Sequence, residues 1–244
     1  VVGLGGSATT DGGCGAAAAC GVRFFDDDGA PFVPVGATLS RISRIDASGL
    51  DPEVARIAAM CDVDNPLTGE HGAAAVFGPQ KGATPELVRS LDDGLAHLAQ
   101  VVRRDLGVEV EDLPGAGAAG GLGGGMVAFF GAELRRGVDA VLDAVGFAQK
   151  LASADAVISG EGSFDSQSLR GKVVLGVSRR TREPGVPLHV LAGRVDPGVR
   201  DVLREHGIAS ARAITPEGMD LEEAMERAGE LLSAAARDLA KDLA

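Results

Sequence analysis

The chain has no tryptophan and no tyrosine, and its only aromatics are 8 phenylalanines among 244 residues. Nucleic-acid binding driven by aromatic stacking on bases is therefore excluded as a leading reading. Positive charge is also scarce: 23 Lys and Arg face 35 Asp and Glu, a formal net charge of -12. That balance argues against a nucleic-acid partner or an anionic membrane surface. It leaves phosphate ligands open, because a nest of backbone N–H groups or one lysine can bind an anion inside an acidic protein. The 3 cysteines form no CxxC pair and read as small core residues in a reducing, cytoplasmic compartment. No apolar run approaches the ~18 residues of a membrane span.

Glycine is abundant. The chain holds 36, roughly twice the usual share. They concentrate at 3–21, 115–131 and 160–171, marking loops and close backbone approaches.

Val1–Leu4 reads as a strand end that runs into the turn Gly3–Gly13, with a small-residue helix at Ala16–Cys20 behind it. The expectation is that part of the parent fold precedes Val1. Gly21–Phe25 and Ala30–Val35 around Asp26-Asp27-Asp28-Gly29 spell a β-hairpin. Ile57–Cys61 is a short buried strand ending in Asp62-Val63-Asp64-Asn65-Pro66. Thr84-Pro85-Glu86 opens a helix. Its apolar positions, from Leu87 to Val102, keep helical spacing up to Leu106. Gly117–Leu134 is a glycine- and alanine-rich helix candidate.

Beyond residue 150 the pattern alternates. Strands are expected at Ala154–Ser159 and Leu188–Gly193, and helices at Lys172–Arg182, Val199–His206 and Leu221–Leu243. Such alternation implies a parallel sheet with crossover helices. The boundary between the two halves falls near Phe147–Ser153.

Four constellations could carry chemistry. In Gly3–Gly13, Gly5, Gly6 and Ser7 offer backbone N–H groups and a hydroxyl, and Asp11 a carboxylate, which suits a phosphate and its metal. Gly3-x-Gly5-x-x-Ala8 also meets the dinucleotide pattern, with acids at Asp26–Asp28. An NAD(P)-dependent oxidoreductase is thus a rival, weakened because those acids sit in a hairpin turn. The second is Asp62 and Asp64 with Lys81, a lysine between Pro79-Gln80 and Gly82. Two carboxylates could hold Mg2+ or accept a hydroxyl proton, and the lysine could face an anion. The third is Gly160-Glu161-Gly162, Asp165, Ser166 and Lys172, expected as a loop after a strand, where open parallel sheets bind ligands. Glu161 and Asp165 are its candidate metal ligands. The fourth, Gly115–Gly125, reads first as tight backbone packing, with ligand contact the second reading. The four histidines show no metal spacing or triad.

In order, VVGLGGSATTDGG, CDVDNPLTGEHGAAAVFGPQKGA, PGAGAAGGLGGGMVAFFGAELRRG and GEGSFDSQSLRGKVVLGV resemble successive blocks of the bacterial glycerate kinase family, the class without the MOFRL domain. Thr10 stands where that family commonly has Asn, and Val174 where it has Pro. The resemblance implies an α/β protein of two domains. Residues 1–147 would belong to an inserted flavodoxin-like domain and 148–244 to the C-terminal part of a Rossmann-like one, with the active site between them and the N-terminal portion of the fold outside this chain.

It implies phosphorylation of D-glycerate by ATP with Mg2+. Asp62 or Asp11 would partner the hydroxyl. Lys81 and Lys172 would offset phosphate charge. Gly5, Gly6 and Ser7 of the Gly3–Gly13 loop would offer N–H groups to substrate carboxylate or phosphate, and Gly160, Gly162 and Ser166 would bind phosphates. Asp64, Glu161 and Asp165 would hold the metal. The expected partner is a small molecule, with no nucleic acid or membrane, in an enzyme that could form homo-oligomers. The alternative within the same family is a chain that does not catalyse the reaction by itself.

Overall fold

The computed structural model describes all residues except 52–56, 166, 167, 169–172, 244 and the side chain of Arg200. The chain divides into two compact units, Val1–Gly137 and Val138–Ala244.

The first unit holds a parallel sheet of β1 (Val2–Gly3), β5 (Ala58–Met60) and β6 (Glu133–Arg135), in the order β1-β5-β6. A second, antiparallel sheet has β2 (Arg23–Phe25) between β3 (Pro31–Phe32) and β4 (Arg44–Asp46). The expected hairpin is present. Asp26 Oδ1 accepts from the Ala30 amide at 2.9 Å, and Gly29 takes φ 75° in the turn. β4 was not foreseen, because its three residues are too few to show a period.

Helices α1 (Cys14–Ala19), α2 (Ala73–Phe77), α3 (Pro85–Leu106) and α4 (Ala118–Phe130) pack around these sheets. α3 forms as its sequence dictates. Thr84 Oγ1 accepts from the Leu87 amide at 3.3 Å, Pro85 occupies the first turn, and Gly107 at φ 71° ends the helix. Leu95, Leu98, Val101 and Val102 are buried on its inner face, whereas Leu87 is exposed. The core adds Phe24 and Phe129, whose rings meet edge to face at 5.6 Å. Full burial of each such large side chain contributes about 1.5–3 kcal/mol.

The glycine-rich helix candidate ends earlier than expected. α4 stops at Gly131 with φ 59°, and Leu134 joins strand β6. Its first turn is not right-handed: Ala119, Gly120 and Gly121 have φ of 53°, 72° and 89°.

α5 (Gly137–Ala144) begins at the last residue of the first unit and leads into the second, which contains α6 (Phe147–Leu151), β7 (Val157–Phe164), α7 (Val173–Arg182), β8 (Leu188–Val195), β9 (Ile208–Ala213), α8 (Leu221–Glu226) and α9 (Ala228–Leu243). The sheet of this unit, β7-β8-β9, is parallel throughout. Phe164, Leu188, Val190, Ile208 and Val174 are fully buried in its core.

Three expectations fail here. Val199–His206 is not an α-helix; a 3-10 turn spans Pro197–Val202, opened by Asp196 Oδ1 accepting from Gly198 at 2.7 Å. The closing helix breaks at Arg227, ahead of Gly229, which weakens a helix there. Gly160-Glu161-Gly162 is not a loop but part of β7, because the ladder to β8 continues to Phe164↔Val195. Close strand packing accounts for two of the glycines here: a Cβ on Gly160 would lie 3.0 Å from the Leu191 carbonyl oxygen, and one on Gly193 2.5 Å from that of Gly162.

Candidate active site

The first unit brings Lys81, from the second constellation, onto the glycine loop of the first, whereas Asp62 and Asp64 are not among the residues that line the cleft beside them. Leu4 extends β1, its N–H donating to the Met60 carbonyl at 2.9 Å, and the chain then leaves the sheet as the glycine loop. Among the described residues nothing accepts from the amides of Gly5, Gly6 and Ser7. Lys81 ends a 3-10 turn, Pro79–Lys81, between Gly78 and Gly82. That rigid turn aims its side chain at the loop. Lys81 Nζ donates to Ser7 Oγ at 2.8 Å and to the Thr9 carbonyl at 2.7 Å.

Beside them lies a cleft of about 490 Å³, walled by Leu4, Gly5, Gly6, Ser7, Val63, Phe77, Gln80, Lys81, Ala118 and Ala119. Partial burial lowers the Lys81 pKa from 10.5, and the Asp11 carboxylate works in the opposite direction.

Asp11 is committed to structure. Its Oδ1 accepts from Gly13 and its Oδ2 from Gly15, each at 3.1 Å, tying the loop to the start of α1. Asp62 is exposed, and its Oδ1 accepts from the amide of Gly137 at 2.9 Å. Asp64 is exposed and faces Arg136 at 3.9 Å.

Gly115–Gly125 is the close backbone contact that the sequence suggested. A Cβ on Gly120 would lie 2.0 Å from the Thr9 carbonyl oxygen, and one on Gly125 2.3 Å from that of Gly12. The Gly12 amide donates to the Gly120 carbonyl at 3.1 Å, so this segment braces the loop from behind. It also supplies Ala118 and Ala119 to the cleft. Ligand contact is the less favoured of the two sequence readings of this segment, since nothing in composition marks a left-handed backbone at Ala119.

In the second unit, Gly160, Glu161 and Gly162 lie along β7, and Asp165 follows it. Asp165 Oδ1 accepts from the Ser168 amide at 3.1 Å, while buried Ser168 donates to the Ser163 carbonyl at 3.1 Å. Ser168 is thus a fixed part of this turn, unmarked by the sequence reading. Glu161 Oε2 is buried without a hydrogen-bond partner among the described residues. Ser166 and Lys172 lie outside the described residues. An apolar hollow of about 390 Å³ beside Leu142, Phe147 and Leu151 touches none of the candidates, and Arg180 at its rim is paired with Asp139 and Asp143.

The dinucleotide reading loses its ribose-binding acid. Asp26 closes the β2–β3 turn and pairs with Arg41 at 3.2 Å, so it does not end a second parallel strand. Cys14 and Cys61 are buried free thiols whose pKa values burial raises, which keeps them protonated and inert. No helix among the described residues is long and apolar enough to cross a membrane.

A model of the glycerate kinase family matches residues 1–244. The chain belongs to the glycerate kinase family. It is 47% identical over 242 residues to a glycerate kinase of Halalkalibacterium halodurans, covering 98% of this chain and 63% of that protein. The glycerate 2-kinase of Escherichia coli is 41% identical over 248 residues, covering 100% of this chain and 64% of the relative. A crystal structure described as a "putative glycerate kinase 2" from Salmonella typhimurium is similar at a TM-score of 0.80 and 44% identity, covering 98% of this chain and 63% of that one. The chain therefore spans less than two thirds of the length of these glycerate kinases.

Proposed function

We propose that this protein takes part in the transfer of a phosphoryl group from ATP to a hydroxyl of D-glycerate. The observation that carries the reading is the Lys81 ammonium. It has three N–H donors, two of which are spent on Ser7 and Thr9. The third is left for an anion in the cleft, beside the unpartnered amides of Gly5, Gly6 and Ser7. That donor set suits the carboxylate of a small hydroxy acid.

Phosphoryl transfer depends mainly on positioning and charge neutralisation. Of the two carboxylates that could partner the reacting hydroxyl, Asp62 is favoured. It is exposed and accepts one amide bond, whereas both Asp11 oxygens are occupied. The nucleotide belongs with the second unit, where parallel strands β7 and β8 end near Asp165.

Among the described residues no group of three or more His, Cys, Asp or Glu could hold a metal by itself. Mg2+ does not need one, because it binds through one or two carboxylates plus phosphate oxygens and water. Glu161 fits, since its buried Oε2 lacks a partner. Glu161, with Asp165, would hold the ion, which would neutralise phosphate charge when bound. Asp64, paired with Arg136, is the weaker candidate.

The test is ADP release from the chain supplied with ATP, Mg2+ and D-glycerate. D-glycerate-dependent release that Lys81→Met abolishes supports the reading. No release from the parent chain returns the alternative, a chain that does not catalyse by itself.

A further inference from the structure

Of the residues that wall the cleft beside the glycine loop, Lys81 alone carries a charge. Ser7 and Gln80 are polar but neutral, and Leu4, Val63 and Phe77 supply most of the apolar wall. Lys81 Nζ is tied to Ser7 at 2.8 Å and to Thr9 at 2.7 Å, so the ammonium and the loop amides stand together and serve one carboxylate. The other charges near this wall offer an anion nothing. The Asp11 carboxylate acts electrostatically on Lys81, and Asp62 and Asp64 flank Val63 in sequence. Arg136 faces Asp64 at 3.9 Å and does not line the cleft. Gln80, the neighbour of Lys81 in the turn Pro79–Lys81, lines the cleft and is exposed.

We propose that the cleft is a site for one negative charge: it takes a hydroxy monoacid and turns away an acid of the same length that bears a second carboxylate, with the neutrality of Gln80 setting that limit. The inference rests on the reading that this cleft takes a hydroxy acid, and it adds which acids. A second carboxylate would lose part of its water against the apolar wall with no cation to replace it. It would also add to the negative field of the nearby aspartates. The selection is by charge and not by size, so it does not need a closed pocket, and salt should weaken it by screening.

Hydroxymalonate keeps the carbon count and the central hydroxyl of glycerate and puts a second carboxylate in place of the terminal CH2OH. Calorimetric titration of the chain with each acid at neutral pH, where both carboxyls of hydroxymalonate are ionised, reads the preference without turnover. The parent should bind D-glycerate about tenfold or more tightly than hydroxymalonate, and the ratio should shrink as salt is raised. Gln80→Lys should shift the ratio toward hydroxymalonate by about tenfold, the effect of one close cation at partial exposure. Gln80→Met, of similar length and uncharged, should leave the ratio unchanged. A parent that binds both acids equally overturns the proposal and leaves the hydroxy-acid reading standing, whether or not the variants fold. A folded Gln80→Lys with the parent ratio overturns it too, as does a Gln80→Met that shifts the ratio as far as Gln80→Lys. A parent chain that binds neither acid overturns the hydroxy-acid reading and this inference with it.

Discussion

Lys81 Nζ donates to the Ser7 hydroxyl at 2.8 Å, across 74 residues of sequence. One bond thus joins a rigid Pro-Gln-Lys-Gly turn to a glycine loop in which the amides of Gly5, Gly6 and Ser7 have no partner among the described residues. Together with the Thr9 carbonyl at 2.7 Å, it fixes where the positive charge stands. Ser7→Ala removes one tether and keeps the charge. It should raise the KM for D-glycerate by about three- to tenfold, the value of one hydrogen bond. Lys81→Met removes the charge and should lower kcat/KM by about 100-fold or more. Steady-state ADP release measures both. Equal effects from the two variants would mean that the charge is not what the cleft uses.

Lys81 also gives a pH dependence with a defined sign. Burial lowers its pKa below 10.5. The ammonium is therefore lost at a lower pH than in the unfolded chain. Anion binding should weaken as pH rises through the folded value, before 10.5 is reached, and Lys81→Arg should push that limb to higher pH. Stability moves oppositely. Between the folded and unfolded pKa values the unfolded chain binds more protons, so stability rises with pH there. KM profiles and urea midpoints from pH 7 to 10.5 check the two signs.

Asp62 accepts from the Gly137 amide, and it is the residue we propose as partner of the reacting hydroxyl. Two variants separate these roles. Asp62→Ala loses the bond and the charge, and should cost about 1 kcal/mol of stability along with activity. Asp62→Asn keeps an acceptor oxygen for Gly137, so stability should hold within about 0.5 kcal/mol. Turnover should still fall by about 100-fold or more, the range for a positioned acid–base group. Near-normal turnover in Asp62→Asn would remove Asp62 from the chemistry.

Much of this was legible in the sequence because the governing interactions are local. Thr84, Pro85 and Gly107 bound α3 by capping alone. Asp26 and Gly29 close the hairpin within a few residues. Where distant pairing decides, local signals misled. Gly160 and Gly162 look like a loop, yet their register with β8 makes them strand. Asp11 and Asp62 look alike in sequence. Only the fold reveals that one carboxylate is filled by two loop amides and the other by a single bond. Ala119 was invisible for the same reason, since its φ is imposed by backbone packing around Gly120.

Gly120 gives the bracing of the loop a direct test. A methyl there would sit 2.0 Å from the Thr9 oxygen, at φ 72°. Backbone cannot yield as a flexible side chain can, so Gly120→Ala should destabilise the chain by at least about 2 kcal/mol. Gly82→Ala is the control: φ is 89° but nothing lies within 4 Å. It should cost only the strain, about 1–2 kcal/mol. Because the loop carries Ser7 and the Thr9 carbonyl, Gly120→Ala should also weaken D-glycerate binding under conditions where it remains folded. Urea unfolding with calorimetry checks the pair, and comparable losses in both variants would show that the contact with Thr9 is not needed.

Glu161 is where stability and function should part. Its Oε2 is buried with no partner among the described residues, and an unsatisfied buried polar group costs about 1–3 kcal/mol. Glu161→Leu removes that group and places an apolar side chain on β7. Without ligands, the variant should therefore melt a few degrees higher than the parent, at about 2–4 °C per kcal/mol for a chain of this size. Mg2+ with ATP should raise the melting temperature of the parent through binding to the native state. It should raise that of Glu161→Leu much less, because the candidate ligand is gone. If the leucine variant melts lower without ligands, Glu161 is a structural residue with a partner of its own. If it gains as much from Mg2+ and ATP as the parent does, the metal is held elsewhere and the assignment fails.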